Sequence, residues 1–222
     1  MTRVTFYGHA CFTLEDAETS LIFDPFLNDN PVSPIKSEQV KADYILLTHW
    51  HMDHLGDTFK IAKARNSLVI STFELATVCE SRKIRAHSMH LGGKHKFDFG
   101  FVRITPAFHG SGIPGGHACG FIVKFNNHII YHSGDTSLFG DMKLLGELEK
   151  IELALLPIGD NFTMGISDAV RAVEMIKPEV VIPMHYNTWP LIECDPKEFK
   201  EEVEKRTQTK CVILAPGESY TM

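Results

Sequence analysis

The nine residues from 48 to 56, Thr-His-Trp-His-Met-Asp-His-Leu-Gly, restrict the fold more than any other stretch of the chain. His49 and His51 are two residues apart, so their side chains point the same way in an extended segment. Asp53 and His54 follow where the chain is expected to turn into a helix. Two pairs of ligands that leave one turn in different directions favour two adjacent metal ions. Zinc, manganese and iron(II) all accept imidazole and carboxylate ligands.

An apolar run, Tyr-Ile-Leu-Leu at residues 44–47, comes directly before these side chains and is typical of a strand covered on both faces. A His-x-His pair alone arises by chance, and a single surface histidine is ordinarily solvated. Four ligand-type side chains beside a buried strand are different, because burying them costs free energy unless a partner compensates. A metal ion would provide that compensation.

Length and composition predict one α/β domain over residues 1–222, since a hydrophobic share of 44% supports one sizeable core. The net charge of −6 disfavours nucleic acid and anionic membranes as partners. The five cysteines are an odd number without a Cys-x-x-Cys pair, which indicates a reduced protein. The N-terminus lacks a signal-peptide region, and no apolar run is long enough to span a membrane. We therefore expect a cytoplasmic protein with a small-molecule substrate.

The predicted elements follow the same order in both halves of the chain: short strands first, then strands alternating with helices. Residues 3–24 alternate apolar and polar side chains, which is typical of antiparallel strands with one solvated face. The later alternation predicts helices that cover a sheet. We therefore expect two sheets packed face to face with helices outside. The predicted helices are 56–65, 72–83, 138–150, 167–176 and 195–207, and the predicted closing strand is 211–214.

Three further ligand-type residues, His109, Asp135 and His185, each come directly after a predicted strand. The ends of strands are where α/β folds place functional sites. Each of these residues alone is more often structural than a metal ligand. Their occurrence together, beside the cluster at 49–54, makes a metal centre the stronger interpretation.

The glycine-rich segment 110–116 matches the spacing Gly-x-Gly-x-x-Gly, but Pro114 and the lack of a surrounding strand–helix unit argue against a dinucleotide site. We expect it to form a substrate loop beside His109. No Gly-x-Ser-x-Gly motif is present, which disfavours serine hydrolase chemistry. The remaining histidines are expected at the surface or as supports of the centre: His87, His90, His95, His117, His128 and His132.

The pattern His-x-His-x-Asp-His at 49–54, followed by His109, Asp135 and His185, resembles the complete ligand set of the metallo-β-lactamase superfamily. Four short motifs resemble the compact metal-dependent hydrolases near phosphorylated-ascorbate (UlaG-like) lactonase. They are Gly-His-Ala-Cys-Phe at 8–12, Ser-Gly-Asp-Thr at 133–136, Leu-Pro-Ile-Gly at 156–159 and Asn-Phe-Thr-Met-Gly at 161–165. The resemblance implies an α/β fold in the form of a four-layer αββα sandwich, which agrees with the order of elements.

The resemblance also implies a role for each ligand. Its first metal ion would be held by His49, His51 and His109, and its second by Asp53, His54 and His185. Asp135 would bridge the two ions. Asp24 matches an acid that supports the ligands from behind, as metal-bound histidines generally require. Residues expected near the metals or along the substrate pocket are His9, Asn161, Thr163 and Met164.

The implied activity is that of a binuclear metal-dependent hydrolase. Two divalent ions per chain, with zinc preferred over manganese, nickel or iron, would share a hydroxide that attacks a small, anionic ester or lactone. Asp53 and Asp135 are the expected catalytic residues, and Asp53 would also carry a proton to the leaving group. The alternatives are a phosphodiesterase or nuclease of the same fold and a protein that binds metal or a metabolite without turnover. A homo-oligomer is expected from the family alone.

Overall fold

Two mixed β-sheets of seven strands each form the centre of the computed structural model, which describes residues 1–222. In spatial order, the first sheet contains β14 (Ser219–Thr221), β1 (Arg3–Phe6), β2 (Phe12–Glu15), β3 (Ser20–Phe23), β4 (Tyr44–Leu46), β5 (Leu68–Thr72) and β6 (Ala86–Met89). The second sheet contains β13 (Lys210–Cys211), β12 (Val180–Met184), β11 (Leu153–Pro157), β10 (His128–His132), β9 (Cys119–Phe125), β8 (Gly100–Pro106) and β7 (Lys94–Phe97).

Each sheet has an antiparallel half and a parallel half. In the first sheet the strands from β14 to β3 pair antiparallel, and those from β3 to β6 pair parallel. In the second sheet β7 to β10 pair antiparallel, and β10 to β13 pair parallel. Parallel neighbours need crossover connections, and helices supply most of them. The plan shared by the two halves of the sequence is therefore present in the structure.

Helices cover the outer face of each sheet. They are α1 (Met52–Leu55), α2 (Thr58–Arg65) and α3 (Phe73–Ser81) in the first half, and α4 (Met142–Leu148), α5 (Ile166–Ile176) and α6 (Pro196–Arg206) in the second. Buried side chains form three clusters: one between the sheets, one between the first sheet and α2 with α3, and one between the second sheet and α4 to α6. These four layers confirm the predicted αββα sandwich.

Alternation along each strand sends neighbouring side chains into different clusters. In the strand before the ligand cluster, Leu46 lies between the sheets, whereas Ile45 and Leu47 face the helices. In β11, Leu155 faces the first sheet and Leu156 faces the helices. All five side chains are fully buried. Coverage on both faces explains why these strands are apolar at consecutive positions.

Two predicted elements differ from the structure. The helix expected over 138–150 is reduced to α4. Just before it, the Ser137 backbone N–H donates to the Phe108 carbonyl oxygen, which holds this part of the chain outside the helix. The strand expected over 211–214 ends at Cys211. The chain then crosses to the first sheet, where the Gly217 N–H donates to the Phe6 carbonyl oxygen at 2.7 Å before β14 begins. None of the helices has the length and hydrophobicity that crossing a bilayer requires.

Candidate metal centre

Three imidazole nitrogens meet beyond the carboxyl end of β4. His51 Nδ1 lies 3.0 Å from His49 Nε2 and 3.3 Å from His109 Nε2. A single ring nitrogen has one proton or one lone pair, so it cannot satisfy both neighbours by hydrogen bonding. A metal ion bound by all three nitrogens would explain their separations, because ligand nitrogens about 2.0–2.1 Å from a tetrahedral zinc ion lie about 3.3 Å apart.

A second group of ligand-type side chains meets at Asp135, which follows β10. Asp135 Oδ2 lies 3.0 Å from His185 Nε2, 3.2 Å from His54 Nε2 and 3.6 Å from His109 Nε2. This carboxylate therefore lies between the two groups of histidines. Ligand-type atoms lie within 4.8 Å of one another in each of three sets: His49, His51 and His109; His9, Asp53, His54 and His185; and His49, His54 and Asp135.

Several buried polar atoms of this centre have no hydrogen-bond partner: His54 Nε2, Asp135 Oδ1 and both ring nitrogens of His185. The Nε2 atoms of His54 and His185 lie close to Asp135 Oδ2, yet their geometry is not that of hydrogen bonds. An unpaired buried polar atom costs about 1–3 kcal/mol. Divalent metal ions would bond to these nitrogen and oxygen atoms, so the residues present fit the metal dependence that the sequence implies.

Asp24, directly after β3, fixes the two buried histidines of the 48–56 segment. Its Oδ1 accepts the Thr48 backbone N–H at 2.8 Å, and its Oδ2 accepts the Thr48 hydroxyl at 2.6 Å and His54 Nδ1 at 2.7 Å. Because the Thr48 hydroxyl donates to Asp24, it accepts the hydrogen bond from His49 Nδ1, 2.9 Å away. Both imidazoles therefore donate through Nδ1 and direct Nε2 towards the centre.

Charges within the centre shift its pKa values in opposite directions. Burial lowers the pKa of His54, but Asp135 and Asp24 outweigh burial and hold it well above its usual value. Burial raises the pKa of Asp135, but His185 and His54 outweigh burial and hold it well below its usual value. Burial and the neighbouring His54 lower the pKa of His49. The carboxylates thus attract positive charge to the position of His54, and a metal ion can supply it in place of a proton.

His9, in the turn after β1, joins the centre through Asp53. Its Nε2 lies 3.1 Å from Asp53 Oδ2, and its Nδ1 lies 2.9 Å from the Thr188 hydroxyl. An ionised carboxylate only accepts hydrogen bonds, so Nε2 carries the proton and Nδ1 accepts from Thr188. Burial and the neighbouring His185 lower the pKa of His9 to about 4, which keeps the ring neutral at neutral pH. The Trp189 ring packs against the ring of His9, with 4.9 Å between ring centroids.

Three residues of the centre have left-handed backbone conformations: His9 at φ 59°, Asp24 at φ 39° and His185 at φ 53°. This conformation costs L-residues about 1 kcal/mol or more each. The surrounding structure holds it in place, since the His185 N–H donates to the His9 carbonyl oxygen at 2.7 Å. The left-handed backbone at these three positions is therefore part of what orients their side chains.

The glycine-rich segment 110–116 packs against the 48–56 segment. The Trp50 N–H donates to the Ser111 carbonyl oxygen at 2.8 Å. Gly112 has φ +71°, and a Cβ atom there would lie 2.8 Å from Cδ2 of His51. The segment therefore forms a wall beside His51 and His109, and glycine at 112 lets the backbone approach the imidazole of His51.

The other predicted positions divide into those near the centre and those away from it. Met164 is fully buried in the cluster between the second sheet and its helices, so the expectation that it lines a substrate pocket is wrong. Asn161 is exposed and Thr163 half-buried in the same loop, and neither side chain forms a hydrogen bond with a candidate ligand. His132, expected at the surface or as a support, is fully buried and stacks on Phe23 at 4.7 Å.

Sequence reasoning missed Thr48 as the link between Asp24 and His49, and it missed Thr188 and Trp189 as neighbours of His9. The signal for Thr48 was available, because a hydroxyl residue directly precedes the ligand cluster. Thr188 and Trp189 lie 179 and 180 positions after His9, and no spacing in the sequence connects them to it.

Comparison with known sequences agrees with this geometry. A profile of the β-lactamase superfamily domain matches residues 3–185. A UPF0173 metal-dependent hydrolase of Natranaerobius thermophilus is 53% identical over 220 residues, which cover 99% of both chains. A UPF0173 metal-dependent hydrolase of Pelotomaculum thermopropionicum is 52% identical over 228 residues, which cover 99% of this chain and 100% of the relative.

Comparison with solved structures gives the same result. The structure of Igni18, a metallo hydrolase from the archaeon Ignicoccus hospitalis, superimposes with a TM-score of 0.93 at 34% sequence identity. The superposition covers 100% of this chain and 99% of Igni18. The chain therefore belongs to the metallo-β-lactamase superfamily and, within it, to the UPF0173 family of metal-dependent hydrolases.

Proposed function

We propose that this metal-dependent hydrolase holds two divalent ions per chain and hydrolyses an ester or a lactone. The observation that carries the proposal is the position of Asp135, whose Oδ2 lies within 3.6 Å of nitrogens from both groups of histidines. A carboxylate in that position is suited to bridge two ions. The ligands would be His49, His51 and His109 for the first ion and Asp53, His54 and His185 for the second.

When bound, two such ions would lower the pKa of a shared water towards neutrality and polarise the oxygen of the bond to be broken. Asp53 is the ligand-type carboxylate that reaches solvent, since 27% of its side chain is exposed whereas Asp135 is 2% exposed. Burial raises the pKa of Asp53, but the hydrogen bond from His9 and the nearby His54 hold it below its usual value. Asp53 is therefore ionised at neutral pH; it would take a proton from the attacking water and later deliver that same proton to the leaving oxygen.

The substrate class rests on sequence motifs. The motifs at 8–12, 133–136 and 161–165 resemble those of phosphorylated-ascorbate lactonase, which supports a lactone or a related ester. Zinc is the first choice of metal, because it binds imidazole nitrogens and carboxylate oxygens; manganese, nickel and iron accept the same donors. The five free cysteines support a cytoplasmic location. Residues 1–222 would act as one domain, since both halves contribute ligands.

The test compares Asp135→Asn with Asp168→Asn, an exposed aspartate on α5. Elemental analysis of the purified wild-type protein should give about two metal ions per chain. Asp135→Asn should lose at least one of them and at least about 100-fold in kcat/KM on aryl esters or lactones. Asp168→Asn should keep both metal and activity. Full metal content and turnover in Asp135→Asn would contradict the proposal.

A further inference from the structure

None of the 22 Lys and Arg residues lies in the segments that build the metal centre. The segments 4–35, 42–59, 104–123, 125–142, 151–170 and 178–196 contain all seven candidate ligands with His9 and Asp24, and none contains a cationic side chain. The same segments carry exposed carboxylates at Asp160, Glu193 and Asp195. A negatively charged group away from the metal ions would therefore meet repulsion and no Lys or Arg partner from these segments.

Exposed apolar side chains stand next to the ligands instead. Met52 follows His51 and is 66% exposed, and Phe108 precedes His109 and is 62% exposed. Phe162 is 52% exposed in the loop after β11, where the Met164 N–H donates to the carbonyl oxygen of Thr136, the residue after Asp135.

A fourth exposed apolar side chain, Leu191, follows Trp189 by two positions and is 68% exposed. Together Met52, Phe108, Phe162 and Leu191 form what we call the apolar rim. These four are half of the eight large apolar side chains exposed on the whole protein. Each of the four lies within two residues of a candidate ligand, of Trp189 or of a residue hydrogen-bonded to the Asp135 loop, and apolar side chains that collect beside a site mark a binding surface.

The interior of the protein beside His9 is also mainly apolar. The Trp189 ring contacts His9 and also lies 6.1 Å from the ring of Phe26. A cavity of about 300 Å³ includes His9 in its wall, and its lining contains apolar residues such as Phe6, Val32 and Leu214 but no charged side chain. Pockets that hold small ligands are mostly apolar with few polar groups, as this one is.

We propose that the part of the substrate that does not react is uncharged and apolar, as in an alkyl or aryl ester or an alkyl-substituted lactone, and that the apolar rim and Trp189 contact it. This inference rests on the proposed function and replaces the anionic substrate that the family resemblance implied. The metal ions would bind the reacting carbonyl group, and the rim would supply affinity by removing the apolar group from water.

The first experiment measures kcat/KM of the metal-loaded protein on p-nitrophenyl acetate, butyrate and hexanoate, and on mono-p-nitrophenyl adipate, in which a carboxylate replaces the terminal methyl group of the hexanoate chain. The expected increase is about threefold per CH₂, slightly below the fourfold that complete burial would give. Hexanoate should exceed adipate by at least about tenfold, the order of one unfavourable charge contact. A flat chain-length series, or adipate equal to or better than hexanoate, overturns the inference.

The second experiment introduces Leu191→Ser and, as a matched control, Leu148→Ser on α4, where Leu148 is 61% exposed. Leu191→Ser should raise KM for hexanoate and leave acetate unchanged, while Leu148→Ser should change neither. If Leu191→Ser instead changes the oligomeric state in gel filtration and leaves the chain-length series intact, the rim is a contact between subunits and the inference is wrong.

Binding without turnover separates this inference from the proposed function. Titration calorimetry compares hexanamide with adipamate, its analogue with a terminal carboxylate. Hexanamide should bind more tightly than adipamate to the wild type, and this preference should be lost in Leu191→Ser. Equal or tighter binding of adipamate overturns the inference even in a protein that hydrolyses nothing. Metal-dependent hydrolysis with a flat chain-length series would leave the proposed function intact and remove only the inference.

Discussion

At the scale of single residues, the proton on His9 is placed by its two neighbours. The Thr188 hydroxyl donates to Nδ1, which leaves the proton on Nε2 and directs it to Asp53. Asp53 in turn is one of the residues that would hold a metal ion. The orientation of a metal-bound carboxylate commonly depends on such an outer hydrogen bond. Thr188 is therefore expected to act on Asp53 through His9.

Replacing Thr188 with Val should remove the hydrogen bond to His9 and leave a buried ring nitrogen unpaired. We expect the free energy of unfolding to fall by about 1–3 kcal/mol and metal affinity to fall about 10–100-fold. Competition with a chromogenic chelator measures the affinity, and urea unfolding measures the stability. Thr188→Ser keeps the hydroxyl and should retain near wild-type affinity; equal losses in Ser and Val variants would contradict the role of the hydroxyl.

The ligand-type residues could be predicted because each follows an apolar strand in the sequence. The same reasoning could not find Thr188, since a threonine at the surface and one against a buried histidine look alike in sequence. It also misplaced Met164, which occupies a loop beside the centre but turns inward to the core. In loops, sequence identifies the segment but not the direction of each side chain.

At the scale of elements, α1 is only four residues long and cannot be stable by itself. The His51 carbonyl oxygen accepts the N–H groups of His54 and Leu55, at 3.0 and 2.8 Å, so the helix begins on a ligand and carries two more. Gly56 ends α1 with φ +39°, and a Cβ atom there would lie 2.5 Å from the Pro25 carbonyl oxygen. The position of α1 thus depends on close contact with the segment after β3.

The methyl group added in Gly56→Ala should push α1 away from the segment after β3. We expect the free energy of unfolding to fall by about 1–3 kcal/mol, from strain in the backbone and the displaced neighbour. Gly140→Ala is the matched control, because Gly140 has no positive φ and nothing lies within 4 Å of the added Cβ. Urea midpoints of both variants measure the difference. An unchanged midpoint in Gly56→Ala would show that α1 can shift without cost.

The strands of the parallel halves could be predicted because burial on both faces leaves a continuous apolar signal. β14 could not, since Ser-Tyr-Thr is short and largely exposed and its existence depends on pairing with β1. The start of α4 was missed for a related reason: a hydrogen bond from Ser137 to Phe108, distant in sequence, holds the chain before α4 outside the helix.

At the scale of the whole molecule, both sheets contribute to the metal centre. His49 and His51 follow β4 of the first sheet, whereas Asp135 and His185 follow β10 and β12 of the second. Metal ions held between them would connect the two sheets across their common edge. Binding energy would then appear directly as stability of the folded chain, because the unfolded chain does not bring these ligands together.

Removing metal should therefore lower the melting temperature. A ligand present at about 1,000 times its Kd contributes about 4 kcal/mol, which for a chain of this size corresponds to about 8–16 °C. Scanning calorimetry with and without a chelator measures the shift, and re-addition of zinc should restore it. The Asp135→Asn variant, which should hold fewer metal ions, should show a smaller difference between the two conditions. A chelator effect below about 1 °C on the wild type would mean that the sheets hold together without metal.

The chain has two tryptophans: Trp189 packs against His9 at the centre, whereas the ring of Trp50, between His49 and His51 in the sequence, packs on Phe59. Both indoles are half-buried, so their emission responds to what displaces the surrounding solvent. The protein consequently carries an intrinsic optical probe at the place where ligands are expected to enter. Screening of candidate compounds by fluorescence can begin without a label and before any product has been identified.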